Sequence, residues 1–322
     1  MKPGAPRVLL IGAGRISAAF DSPGQAKILT HAHAWKLLGA DLTFHDPDPV
    51  RLASAVAKWG GSGSTDLAEA LEPGPWDAVV LAAPDEFHLP IAKRLAGSPW
   101  KTLVLEKPPA TSRGDWMALQ EILGARTDDV AVNFTRRWAP GLIRLREEIR
   151  AGSWGELLHG HAMYGNGLLH NGSHLTDFLT WILGPLAIEG LQEVLPDRSG
   201  DPSAAFRLRT CAGRPIDVAV VDCSRYTVFE VDLFFSRGRI RLPCSAGTVE
   251  STRVVPSEDH AGFRVLGGPG TASSELDTSL LRLARAVEEH SRLGTPLDGT
   301  LEEIADGFDL CLRLQEMRDA TP

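Results

Sequence analysis

Two side chains in this sequence have the type and placing to move a proton or steady a negative oxygen. Lys107 ends the apolar run 102–106 and precedes Pro108, so its stem is held at a strand end while its ammonium is left to donate. A lysine so placed can donate to a hydroxyl or carbonyl oxygen and favour the negative charge that develops during hydride or proton transfer. The proline after it permits a cis peptide. His174 lies in His170-Asn171-Gly172-Ser173-His174-Leu175-Thr176-Asp177, where Gly172 and Ser173 are helix start signals. In a first helical turn the imidazolium is disfavoured by roughly 0.3 to 1 kcal/mol, which helps keep the ring neutral and able to accept a proton. Asp177, three residues further on the same helical face, can orient that ring or bind substrate. Each has a plainer alternative: a surface lysine at a strand end, a structural histidine, and a carboxylate near a helix start.

Positioning such groups takes a scaffold, and the stretch from Val8 to Ile16, Val-Leu-Leu-Ile-Gly-Ala-Gly-Arg-Ile, suggests which. Four apolar residues running into Gly12 and Gly14 suit a strand buried on both faces, followed by a sharp turn that lets a phosphate approach the backbone. The next helix would offer its N–H groups to that phosphate. Ser17 holds the third small position of the dinucleotide fingerprint, and 20–24 is turn chemistry that interrupts the helix. A second strand over 41–45 ends at Asp46, whose carboxylate can accept hydrogen bonds from an adenosine ribose, or cap the turn Asp-Pro-Asp-Pro. Its spacing from Gly14 exceeds the usual figure of about 20 residues, an excess we assign to an insertion over 22–30.

Strands expected at 78–83, 102–106 and 130–134 alternate with helices near 50–59, 67–71, 88–96 and 113–123, the rhythm of a doubly wound parallel sheet with ligands at the strand C-termini. From Trp154 the rhythm changes. Strands are expected at 157–164, 189–194, 204–210, 216–222, 226–235, 239–242 and 248–255, several alternating cleanly, as in a largely antiparallel sheet with one covered face. Helices at 173–183, 276–293 and 301–319 complete this half. The fold class is α/β plus α+β: a Rossmann domain over 1–135 and an open-faced sheet domain over 136–322.

A chain of 322 residues, 43% hydrophobic and 23% charged, is long enough for two cores and excludes disordered or fibrous classes. The net charge of −8 argues against a nucleic-acid or anionic-membrane surface, and no run approaches a signal or membrane-spanning segment, so a cytoplasmic protein is expected. Cys211, Cys223, Cys244 and Cys311 are far apart and read as reduced core thiols. His170 and His174, with His159 and His161, carry no His-Glu-x-x-His arrangement and no nearby cysteine, so no metal is expected. No Gly-x-Ser-x-Gly elbow supports a hydrolase.

Taken in order, Gly12-Ala13-Gly14-Arg15-Ile16, Ala83-Pro84 with His88, Glu106-Lys107-Pro108, Asn133 with Arg136 and Arg137, Gly152 to Glu156, and Gly172 to Asp177 closing on Leu183-Gly184 resemble the glucose-fructose oxidoreductase, inositol dehydrogenase and rhizopine catabolism (Gfo/Idh/MocA) family. The resemblance covers about the first three-fifths of the chain. It implies a Rossmann domain binding NAD(H) or NADP(H), an open-faced sheet domain that carries the substrate and forms a homodimer or homotetramer interface, and hydride transfer at a hydroxyl or ketone carbon of a sugar, inositol or sugar nucleotide. On that footing Gly12, Gly14, Arg15 and Ile16 hold the pyrophosphate, Asp46 the ribose, and Ala83, Pro84, His88 and Glu106 border the cofactor. Lys107, His174 and His170 are the catalytic candidates, with Asp177, Asn171, Arg137 and Tyr164 toward substrate and Tyr164 a second candidate acid or a core aromatic. His170 falls where the family commonly has an aspartate, a departure that leaves it to bind a hydroxyl or share a proton with His174. Asp46, with no arginine before Arg51, favours NAD over NADP because a carboxylate repels a 2′-phosphate. The competing expectation is a regulatory protein that senses a dinucleotide or sugar on the same fold without turnover.

Overall fold

The computed structural model describes residues 4–196 and 200–320; the Cys244 side chain lies outside that description. Its residues form two compact units, 1–138 with 277–304, and 139–276 with 305–322.

The first unit is built on β1 (Arg7–Ile11), whose Val8 to Ile11 are fully buried. Through the chain come α1 (His31–Leu37), β2 (Asp41–His45), α2 (Pro49–Trp59), β3 (Ser62–Ser64), α3 (Leu67–Leu71), β4 (Trp76–Leu81), α4 (His88–Leu95), β5 (Trp100–Leu105), α5 (Arg113–Leu123) and β6 (Val130–Val132). The sheet is parallel throughout, in the order β3-β2-β1-β4-β5-β6. Chain order reverses between β1 and β4, which is where a doubly wound sheet opens its ligand crevice. Ile11 sits beside His45 on one side and Leu81 on the other, so the strands end in line. The ladder runs one residue beyond them: Gly12 N donates to His45 O, Ala82 N to Ile11 O, Glu106 N to Leu81 O and Asn133 N to Leu105 O, at 2.7 to 3.0 Å. Gly12, Asp46, Ala83, Glu106 and Asn133 therefore follow one edge of the sheet.

The helix after β1 is broken, as 20–24 foretold. Arg15–Ala19 make a single π-helical turn, and a loop leads to α1. Asp21 pins that loop: its buried carboxylate accepts from Leu29 N at 2.6 Å, Thr30 Oγ1 at 2.5 Å and His33 Nδ1 at 2.8 Å. Thr30 then caps α1 by accepting from His33 N. The insertion is thus a tied element that delivers His31 to the sheet edge.

In the second unit come α6 (Pro140–Arg150), β7 (Leu157–Tyr164), α7 (Ser173–Leu183), β8 (Leu186–Leu195), β9 (Ser203–Thr210), β10 (Pro215–Val220), β11 (Phe229–Phe235), β12 (Gly238–Leu242), β13 (Thr248–Pro256), β14 (Arg264–Leu266) and β15 (Gly270–Ser273). The sheet order is β14-β13-β12-β11-β7-β10-β9-β8, with β15 on β13. Pairing is antiparallel except between β10 and β7, so the sheet is mixed. Alternation along β11 buries Phe229, Val231, Leu233 and Phe235, and Phe229 meets Phe178 of α7 edge-on. The other face carries an ion-pair ladder, His159 and Arg207 on Asp217, Arg239 on Asp232, and Arg241 on Glu230, rather than an apolar patch.

A division at residue 135 misses one return of the chain. After β15, α8 (Ser279–Leu293) belongs to the first unit, where Leu280, Leu283, Ala284 and Val287 join the core of Val8, Leu10 and Trp35. Its apolar stripe needs a covered sheet face, and the parallel sheet supplies one. The last helix, α9 (Leu301–Asp319), starts in the first unit, and from Ala305 it belongs to the second. Of the three described thiols only Cys311 is buried; Cys211, past the end of β9, is exposed and Cys223 half-buried, so the core-thiol expectation is not met at those two. No helix among the described residues is long and apolar enough to cross a membrane. Leu283→Ala is expected to lower the stability of the unit holding β1 by about 3 kcal/mol, measured by urea unfolding; a change below about 0.5 kcal/mol would show that α8 does not contribute to that core.

Candidate active site

At the sheet edge, Gly12 has φ +96°, and a Cβ there would lie 2.6 Å from Ala82 O. Both the conformation and the packing require glycine. Gly14 differs: its φ is −74°, and no atom lies within 4 Å of where its Cβ would be. Nothing in the protein calls for glycine at 14, whereas a ligand backbone approaching the turn would. Arg15 is exposed and Ile16 half-buried beside it, while Ser17 is buried, as the small third position of the fingerprint requires.

Asp46 holds this turn to the end of β2. Its Oδ2 accepts from Ala13 N at 2.8 Å and its Oδ1 from Asp48 N at 2.9 Å, and Arg51 reaches back from α2 to place Nη2 2.9 Å from Oδ1. Burial works to raise this carboxyl's pKa; the Arg51 hydrogen bond, the two backbone donors and the Arg51 charge outweigh it and hold it below the ordinary value. The arginine taken to be too distant is therefore a direct partner, which corrects the argument for NAD preference.

Beyond β4, Ala83 and Pro84 lie at the surface of the edge, and His88 is buried behind them with Nε2 3.0 Å from Ala83 O. His88 thus fixes the Ala83 carbonyl rather than meeting a ligand itself. After β5, Glu106 is buried with Oε1 2.7 Å from His31 Nε2 and 2.6 Å from Asn133 Nδ2. Its pKa is pushed up by burial and more than brought back by His31, Asn133 and the neighbouring Lys107 charge, so it stays ionised. Lys107 is half-buried, and its bond to Pro108 is cis. Asn133 Oδ1 is buried with no hydrogen-bond partner among the described residues. The amide N–H of a nicotinamide carboxamide is one donor that would satisfy it. The open space at Gly14 and this orphaned acceptor both fit a dinucleotide.

In the second unit, Leu168–Gly172 form a π-helical turn that runs straight into α7. π-turns of this kind frequently mark functional sites. His170 is exposed and His174, four residues on, is half-buried. Asp177 is 1% exposed at the α7–α9 packing, where Gly307 has no room for a Cβ: Asp177 Cα would lie 2.7 Å away. It is therefore placed to orient neighbours, not to touch substrate. Asn171 directs Nδ2 to Gly165 O at 2.8 Å.

Two expected substrate contacts are core groups instead. Tyr164 is fully buried, its hydroxyl donating to Ala204 O at 2.8 Å and accepting from Ala204 N at 3.0 Å; burial pushes its pKa far up, so it is not an acid for catalysis. Arg137 is buried in the first unit, donating to Glu303 O at 3.1 Å with its other terminal nitrogen 3.7 Å from Glu303 Oε2, and it ties the start of α9. Four functional candidates escaped sequence reasoning: His31, Arg51, Asp201 and Arg318. Only Arg51 left a local signal, lying one helical turn and a half past Asp46. Among the described residues no group of three His, Cys, Asp or Glu is placed to hold a metal ion.

These features can be compared with known proteins. Inositol 2-dehydrogenase 3 of Saccharopolyspora erythraea is 28% identical over 225 residues, 63% of this chain and 65% of that protein. Two further inositol 2-dehydrogenases match over under half their length, so the chain spans only about half to two thirds of the curated relatives it matches. Among solved structures, the WlbA dehydrogenase of Bordetella pertussis, in complex with NADH and UDP-GlcNAcA, has a TM-score of 0.77 at 19% identity, covering 98% of this chain and 96% of that one. An oxidoreductase of Desulfitobacterium hafniense, provisionally described as NADPH-dependent, has a TM-score of 0.78 at 14% identity, covering 98% and 97%. Both show that the fold is shared. Residues 6–134 match the model of the GFO_IDH_MocA oxidoreductase family, described by its NAD-binding Rossmann fold.

Proposed function

We propose that the protein is a nicotinamide-dependent dehydrogenase acting on a CH–OH group of a sugar- or inositol-like substrate. The observation that carries this reading is the row of Gly12, Gly14, Asp46, Glu106 and Lys107 at the in-line C-terminal ends of adjacent parallel strands. The names of its relatives, inositol 2-dehydrogenases among them, support the substrate class. No observation favours the regulatory reading. A cytoplasmic homodimer or homotetramer goes with the proposal.

In the oxidation direction a bound nicotinamide supplies the acceptor for the hydride that leaves the carbinol carbon. His174 is the group to accept the hydroxyl proton at its imidazole, and Lys107 is the group to donate to an oxygen on which negative charge builds. Glu106, ionised and bridged to His31 and Asn133, keeps a fixed negative charge behind the lysine. Gly12 to Ile16 hold the pyrophosphate. Asp46 receives the ribose hydroxyls, for which Arg51, an exposed side chain, must yield some of its contact.

Cofactor choice follows from that pair. Asp46 alone would repel a 2′-phosphate, but the guanidinium of Arg51 attracts one, so NAD(H) is preferred by less than the carboxylate alone would dictate. In fluorescence titrations both NADH and NADPH should bind, NADH more tightly. Arg51→Ala should weaken NADPH about tenfold and leave NADH nearly unchanged; equal weakening of both would sink this assignment. Lys107→Met and His174→Ala should each lower kcat by about 10² or more while NADH still binds. Full turnover in both variants would remove these residues from the chemistry.

A further inference from the structure

Asp201 lies in the loop just before β9, far from His170 in sequence and against it in space. Its Oδ2 accepts from Leu169 N at 2.8 Å, His170 N at 3.0 Å and His170 Nδ1 at 3.0 Å. Its Oδ1 accepts from Arg318 Nη1 at 3.0 Å, and that arginine also donates to Pro202 O at 2.7 Å. Asp201 and Arg318 are both buried, whereas the His170 side chain is 47% exposed. Gly167, with φ +89°, makes room for the contact: a Cβ there would lie 2.2 Å from Oδ2. Leu169 and His170 lie in the first turn of the helix, where backbone N–H groups lack partners within it, so Asp201 serves in part as a cap supplied from the loop before β9.

A cap accounts for the two backbone bonds but not for the third. An ionised carboxylate can only accept, and Asp201 is ionised: burial raises its pKa, and the bonds from the His170 ring and backbone and from Arg318 more than reverse that. The ring atom facing it must therefore be the donor. With the proton on Nδ1, the neutral imidazole has only Nε2 left as an acceptor, and a buried carboxylate behind the ring strengthens that acceptor.

We propose that Asp201 and His170 form a carboxylate–imidazole pair in which Asp201 is a positioning residue and Nε2 of His170 accepts a hydrogen bond from a second hydroxyl of the substrate. This rests on the dehydrogenase reading above. His170 and His174 lie four residues apart along one helical segment, about 6 Å of rise, so one imidazole receives the reacting hydroxyl and the other a neighbouring one on the same molecule. His170 is thereby a binding group.

Two measurements on the full-length protein test the pair. In long-range ¹H–¹⁵N spectra of imidazole-labelled protein above the imidazole titration range, with His170 assigned by its loss in His170→Gln, the ring should carry its proton on Nδ1 and none on Nε2. A proton on Nε2 overturns the proposal, and this spectrum needs no turnover. Kinetics follow on whichever of myo-inositol, glucose or glucuronate turns over with NAD. There, Asp201→Asn should raise KM about tenfold with kcat changed less than threefold, and His170→Gln, which keeps the backbone cap at an exposed position, should raise KM at least as much. Unchanged KM in both folded variants leaves Asp201 a cap only and overturns the proposal. Wild-type protein that binds NADH but oxidises none of these sugars overturns the dehydrogenase reading itself, a result distinct from an inverted tautomer.

Discussion

A carboxylate taken out of water must be met by donors, and this protein places four of them at the loops that matter. Asp21, Asp46, Glu106 and Asp201 are all nearly inaccessible, and each gathers two or more partners, those of Glu106 and Asp201 coming from segments distant in the chain. Leaving any of them unpaired would cost several kcal/mol. The loops have little choice but to close around them. Asp21 closes the insertion after β1, Asp46 ties the glycine turn to the next strand, Glu106 joins α1 to β6, and Asp201 joins the π-turn to α9.

Closure of this kind has a directional consequence. Oxygens already committed to protein donors fix the position of those donors, and the donors' other ends become the functional surface. Glu106 takes one amide hydrogen of Asn133 and leaves the Asn133 oxygen in want of a partner. Asp46 takes Ala13 N and thereby sets the course of the backbone between Gly12 and Gly14. On the proposed function, Glu106 and Asp201 act by arranging groups that themselves meet ligands, which is the division of labour expected where a site must be preorganised.

How much of this could be read from the sequence depended on how local the cause was. β2 over Asp41–His45, α5 over Arg113–Leu123, β7, α7 and α9 have the expected bounds, since hydrophobic period, caps and glycine stops are all local. The edge residues Gly12, Asp46, Glu106 and Lys107 were legible for the same reason: each follows its own strand. Tyr164 misled because a tyrosine at a strand end looks alike whether its hydroxyl meets a substrate or Ala204. Arg137 misled similarly, its partner Glu303 lying 166 residues away. Asp201 sits in Gly-Asp-Pro-Ser, which reads as a turn, and no local pattern announces a partner 31 residues back and another 117 residues on.

The two units also expose their chemistry by different rules. In a parallel sheet every strand ends at the same edge, so residues that follow strands converge there, and chain order alone assembles a row of polar groups. A mixed sheet has no such edge: β7 and β11 run in opposite senses, and their inward side chains go to the core against α7 while their outward ones pair as Arg239 with Asp232 and His159 with Asp217. Polar chemistry in that unit must come from the helix laid on the sheet and from what reaches it. His170 and His174 stand at the start of that helix, held by the loop before β9 on one side and by the final helix on the other. The first unit's chemistry is written along the chain in motifs, whereas the second unit's is written across it, in contacts that exist only once the fold has formed.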